Sequence, residues 1–241
     1  MRIRGSCMIC NENASPETYK ELFIELRDDN VYEIVCDEGH CSTIILHENK
    51  FELLFEMGVL AFIDGYYREA VTNLAASLER LYEYYINIVL LHRGINYKDI
   101  MITWKNVKNQ SERQFGAFCY LYLLENGTSP QTFSNRFVEF RNNVIHKGYF
   151  PAIKEVIEYG EAVLKVMNVL LLYIINRYRK EVAELHFINQ NEYRDRIKNR
   201  NAQLYSMSIP ISIRLSAPYE IPENSFEDMI RNRKDFRIFI K

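Results

Sequence analysis

The chain has 241 residues, 48% of them hydrophobic and 26% charged, with a formal net charge of −2 and a pI near 6.3. These values describe a globular chain with ample sequence for a core, and they exclude disorder throughout. They also exclude a protein that coats nucleic acid indiscriminately, since that mode draws on many Lys and Arg contacts to phosphate.

The opening MRIRGSCMICNENASP carries no apolar core of the length a secretory signal needs, which points to an intracellular, cytoplasmic protein. Residues 1–46 read as a small β-rich module. In NVYEIVCDEGHCSTIIL, Val31, Glu33 and Val35 alternate with Tyr32 and Ile34, a turn follows at Asp37–Gly39, and a second strand resumes at STIIL. The same segment holds Cys7-x2-Cys10 and, after a gap of 25 residues, Cys36 followed by His40 and Cys41. Two such turns deliver the four tetrahedral sulfur and nitrogen ligands that zinc favours, as in a zinc ribbon. The expected ligands are Cys7, Cys10, Cys36 and His40, with Cys41 as the alternative fourth. Four protein ligands leave no open position for water, so the expected zinc is structural, a staple for a module too small to bury much core.

From about residue 47 the period changes to that of helices. Phe51, Leu54, Phe55 and Gly58 recur at helical spacing, as do Val71, Leu74, Ala75 and Leu78, and Ile153, Val156, Ile157 and Gly160. Gly94, Ser129-Pro130, Gly148 and Pro151 supply start and stop signals, so helices are predicted at 48–64, 66–93, 130–147 and 151–186, with one or two more between 98 and 126. A helical bundle over 47–189 follows. Its most apolar run, Val163–Tyr178, is interrupted by Lys165, Asn168 and Asn176, so it is expected as a buried helix and not a membrane span. Tyr82, Tyr84 and Tyr85 follow a helix stripe and are read as packing residues in preference to a platform for bases. Glu79 and Arg80 read as an exposed helix pair, with a polar residue there a candidate to approach His146. His47, His92, His186 and Cys119 are given no chemistry. Residues 190–241 form a third segment of short strand-like runs with prolines, in which from residue 191 ten Lys and Arg stand against seven Asp and Glu.

One constellation in the bundle is reactive. FVEFRNNVIHKGYFP carries Arg141, Asn142 and His146 near a helix end. Residues five apart on an ideal helix lie about 140° apart, so one copy makes a poor site. Two copies meeting across a two-fold axis would converge two imidazoles and two guanidiniums on one cleft. Imidazoles titrating near pH 6.5 serve as base and acid, and guanidiniums hold phosphate in bidentate fashion. RNA brings its own nucleophile in the 2′-hydroxyl, so no catalytic metal is needed.

RNNVIH, an Arg-x4-His with Asn directly after the Arg, placed at a helix end in a bundle and ahead of a long final helix, resembles the HEPN superfamily over about residues 48–186. The resemblance implies a mainly α fold: a HEPN-like helical bundle with the small N-terminal β zinc ribbon and the strand-containing C-terminal extension attached. It implies a homodimer whose paired motifs form a metal-independent RNA endonuclease leaving 2′,3′-cyclic phosphate ends. His146 would be the general acid/base, Arg141 the phosphate ligand and Asn142 the orienting residue. Such proteins act in phage defence, abortive infection or toxin systems, with an antitoxin or sensor protein as a partner. A non-catalytic dimer that binds nucleotide, nucleic acid or protein is the alternative.

Overall fold

The computed structural model describes residues 2–12, 21–198, 202–215 and 224–238, which fall into two compact units. The first comprises residues 1–49 and 186–210, the second 50–185 and 211–241. The chain is mainly helical, with a small β region near the N-terminus and a strand near the C-terminus.

In the first unit, β1 (Arg2–Ser6) pairs antiparallel with β2 (Glu21–Glu25), in register from Arg2 opposite Glu25 to Ser6 opposite Glu21. A single helical turn, α1 (Met8–Asn11), follows β1 directly. β3 (Val31–Val35) and β4 (Cys41–Leu46) form an antiparallel hairpin, Val31 opposite Ile45 and Val35 opposite Cys41. β5 (Gln203–Met207) lies parallel to β4 on its other side, so β4 is the central strand. That position explains its composition: Ser42 to Leu46 are all buried, and a strand covered on both faces reads as a nearly continuous apolar run. Past the strand, the Glu48 carboxylate accepts from the Ser208 hydroxyl at 2.6 Å and the Ile209 amide at 2.9 Å, tying β4 to the chain that leaves β5.

The second unit is built on α2 (Lys50–Ile63) and α3 (Tyr67–His92), which pack along each other after a turn at Asp64–Tyr66. α3 is the hub. α4 (Tyr97–Trp104), α5 (Ser111–Asn126), α6 (Asn135–His146) and α7 (Ile153–Arg177) all pack on it. Its stripe of Val71, Leu74, Leu78, Leu81, Tyr85 and Ile88 is buried, and Tyr82, Tyr84 and Tyr85 are core residues as their spacing predicts. α8 (Arg179–Asp195) starts in this unit, and its residues from His186 onward belong to the first. α9 (Phe226–Ile238) packs on α2 and α7, where Phe226 meets Phe55 and Phe62 at ring-centroid distances of 6.1 Å each. No helix among the described residues is long and apolar enough to cross a membrane.

Three boundaries differ from the sequence expectation. The helix expected over 151–186 is two helices, broken at Tyr178, whose fully buried hydroxyl donates to Glu125 Oε2 at 2.9 Å. The helix expected from Pro130 begins at Asn135, after Ser134 in extended conformation. The extended entry places Phe133 against Phe137 and Tyr159. Residues 190–241 are not one extension. β5 completes the N-terminal sheet, whereas 211–215 and α9 are fastened to α2 by two buried carboxylates. Glu52 accepts from the Leu215 amide at 2.5 Å. Glu56 accepts from the Ser212 amide and hydroxyl at 2.8 and 2.7 Å and pairs with Arg233 at 2.6 Å. Residues 199–201, 216–223 and 239–241 of that stretch lie outside the described residues.

Candidate functional site

Two clusters gather the residues singled out by sequence, one in each unit. In the first unit, β1 runs into α1 so that Cys7 stands at the N-cap and Cys10 one turn on. The hairpin turn between β3 and β4 presents Cys36 and His40, closed by Cys36 N–H to the His40 carbonyl at 3.1 Å and Gly39 N–H to the Cys36 carbonyl at 2.8 Å. The four side chains converge, every ligand atom within 4.8 Å of the others. Cys10 Sγ is 3.6 Å from Cys36 Sγ, and His40 Nδ1 is 3.2, 3.5 and 3.8 Å from the sulfurs of Cys10, Cys36 and Cys7.

A tetrahedral ion with bonds of about 2.3 Å to sulfur and 2.0–2.1 Å to nitrogen would set sulfur–sulfur edges near 3.8 Å and sulfur–nitrogen edges near 3.6 Å. The observed edges straddle those values, so the cluster could hold a metal ion. Cys41 is exposed and lies 4.0 Å from the Gly39 carbonyl, away from the cluster, so His40 takes the fourth corner. The thiols are electrostatically unequal. Burial, then hydrogen bonds to Cys36 and Cys7, pushes Cys10 up to about 12. For Cys36, burial raises the thiol, but the His40 backbone and the Cys10 side chain outweigh it and bring it down to about 7. Thiols this close cannot all ionise without a cation among them.

In the second unit, α6 carries Arg141, Asn142 and His146. Arg141 faces α3: its Nη2 donates to Glu79 Oε1 at 2.6 Å and its Nη1 to Asn142 Oδ1 at 2.9 Å. Glu79 thus meets Arg141 and not His146, and Arg80 turns elsewhere, to Glu83 and Gln114 at 2.6 Å each. His146, in the last turn of α6, is exposed and makes no hydrogen bond or ion pair among the described residues. One chain therefore brings Arg141 and Asn142 together and leaves His146 apart from them, as the 140° spacing requires.

The helix end beneath His146 is firmly held. Arg68 on α3 donates to the carbonyls of Val144 at 3.1 Å and Ile145 at 3.4 Å, supplying a cation where the helix dipole is negative. Gly148, at φ +70°, takes the left-handed conformation that closes the helix, and the amides of Lys147 and Tyr149 both reach the Asn143 carbonyl at 3.1 Å. The Tyr149 hydroxyl donates to Glu155, whose carboxylate also accepts the Ala152 amide at 2.8 Å and caps α7.

Beside Arg141 opens a pocket of about 280 Å³ that sequence reasoning did not find. Its walls come from α3, α5, α6, α7 and the extended segment before α6; Phe115, Phe133 and Phe137 form aromatic sides, and Glu79, Arg141 and Asn142 a polar edge. Only the helical spacing of Leu78, Glu79 and Tyr82 hints at it in sequence, since Phe115 and Phe133 arrive from distant segments. Among residues given no chemistry, His47 and His186 stack at 5.3 Å within the first unit, and His92 meets Glu181 at 3.0 Å in the second.

No family model matches this chain, and neither a curated protein nor a solved structure does.

Proposed function

We propose that the chain is a homodimeric, metal-independent RNA endonuclease of HEPN type, acting as a defence or toxin effector under the restraint of a partner protein. The observation that carries the reading is the state of α6. His146 stands exposed and unengaged at a braced helix end, while Arg141 on the same helix is oriented by Glu79 and Asn142 beside an open pocket.

In the paired site, His146 of one copy takes the proton of the RNA 2′-hydroxyl as the oxygen attacks the adjacent phosphorus. The 2′-oxygen–phosphorus bond forms and the bond to the 5′-oxygen breaks. His146 of the second copy gives a proton to that leaving oxygen, so the products are a 2′,3′-cyclic phosphate and a 5′-hydroxyl. Arg141, freed in part by the charge of incoming phosphate, stabilises the pentavalent phosphorane through its remaining N–H donors, and Asn142 holds its orientation. The Cys7, Cys10, Cys36 and His40 cluster holds a structural zinc that supplies folding free energy and takes no part in this chemistry.

A non-catalytic dimer that binds nucleotide, nucleic acid or protein is favoured by one observation: the Arg141 charge is already met by Glu79 within a single copy. Incubation of the purified protein with total RNA and enough EDTA to bind free magnesium separates the two readings. The nuclease leaves cyclic phosphate ends and His146→Ala stops cutting. If the wild type leaves RNA intact or the variant cuts equally well, the nuclease reading fails.

A further inference from the structure

We infer that the pocket beside Arg141 receives a guanine base of the RNA substrate, so that cleavage falls next to guanosine; this rests on the nuclease reading and names the base that reading leaves open. The volume, about 280 Å³, lies just below the range of about 300–1,000 Å³ typical of small-molecule sites, which suits one fused ring system better than a whole nucleotide. Phe115, Phe133 and Phe137 are each partly exposed along its walls. Aromatic walls stack with any base, since every base has a π face, so they supply affinity and leave the choice to the polar edge.

That edge has unspent hydrogen-bonding capacity. Glu79 engages Arg141 through Oε1, and Oε2 accepts nothing among the described residues. Asn142 spends its Oδ1 on Arg141, which fixes the amide and leaves Nδ2 with two donors to give. Tyr159 lines the same pocket at 1% exposure, and its hydroxyl has no partner among the described residues. Burial holds that phenol above its ordinary range, so it remains a donor at neutral pH. That hydroxyl is not among the sealed unpaired polar atoms, so it keeps access to the pocket and can donate to an acceptor placed there.

The free groups are thus an acceptor on a carboxylate and donors from Asn142 and Tyr159. Guanine is the complement: its adjacent N1–H and N2–H groups meet the Glu79 carboxylate and its O6 accepts from the amide or the phenol. Adenine turns an acceptor, N1, toward the carboxylate, so a ring nitrogen and a carboxylate oxygen face each other without a proton between them. Uracil has a single donor between two acceptors and only one ring. Arg141 keeps its remaining donors for phosphate, so base and phosphate bind on neighbouring groups of one helix.

The test is calorimetric titration of the full chain with the 3′-monophosphates of guanosine, inosine, adenosine and uridine, joined to sequencing of the ends cut from random-sequence RNA. Guanosine should bind tightest, inosine about tenfold weaker for the lost N2–H, and adenosine about a hundredfold weaker. Val138→Trp, which fills the mouth from an exposed position, should abolish guanosine binding, whereas His146→Ala should keep it. Equal binding of all four, or guanosine binding that survives Val138→Trp, overturns the inference. His146-dependent cutting without guanosine at the ends overturns it too and leaves the nuclease standing. The stated binding order without any cutting supports the pocket and sinks the nuclease.

Discussion

Serine at Cys36 tests the metal cluster through one atom. Its sulfur sits 3.6 Å from Cys10 Sγ and 3.5 Å from His40 Nδ1, so the substitution removes a corner of the tetrahedron without moving its neighbours. Structural zinc sites contribute about 10–16 kcal/mol of apparent binding free energy at pH 7, and an equal share for each of four ligands is roughly 3–4 kcal/mol. A loss of that size weakens zinc about 10²–10³-fold. With free zinc about a thousandfold above the wild-type dissociation constant, the variant stands only about one- to tenfold above its own and forfeits about 3–4 kcal/mol of linked stability. Elemental analysis of protein exchanged into zinc-free buffer without chelator should return close to one zinc per chain for wild type and Cys41→Ser, whose thiol lies outside the cluster, and a small fraction for Cys36→Ser, whose weakened site empties there. Thermal unfolding of the first unit should fall in parallel. Less than about half an equivalent in the wild type, or equal loss in the Cys41 and Cys36 variants, refutes the reasoning.

Alanine at Gly160 gains about 1 kcal/mol of helix propensity, yet its Cβ would lie 2.4 Å from the ring of the fully buried Phe226. Overpacking of about 1–3 kcal/mol wins, so the melting temperature should drop by a few degrees, and a rise would refute the seating of α9. Glu125→Ala removes a carboxylate 1% exposed that accepts from Arg93, Arg177 and Tyr178. Because both arginines are about half exposed and can rehydrate, the loss in chemical denaturation should be about 1–3 kcal/mol, below that of a sealed pair; no loss contradicts the role. Burial and then the neighbouring His47 hold His186 below its ordinary range. A base depressed in the folded state stabilises fully above its unfolded value near 6.5 and loses that contribution as pH falls through the lower folded value. Melting temperature should therefore fall on acidification from about pH 7 to 5, less so in His186→Phe; equal pH profiles would refute the coupling.

Local patterns were legible wherever one segment carries its own answer. The α3 stripe, the turn-borne Cys7, Cys10, Cys36 and His40, and the alternation of β3 are all set by short-range spacing. Features that depend on a distant partner were not. Nothing near Tyr178 announces a helix break, and the partner its hydroxyl finds there, Glu125 on α5, is 53 residues away. β5 reads as strand-like, but its parallel seat beside β4 is a pairing across more than 150 residues. The division of residues 190–241 follows from carboxylates on α2 and from Phe226 filling the gap that Gly160 leaves. Glu79 was visible as a polar residue on α3, yet its partner, Arg141, is 62 positions on.

RNA cleavage with end-group analysis, run on wild type and His146→Ala at matched dimer content, bears most directly on the proposed activity. Cyclic phosphate and 5′-hydroxyl ends from the wild type alone are predicted. Intact RNA, 5′-phosphate ends, or equal cutting by both proteins would contradict it.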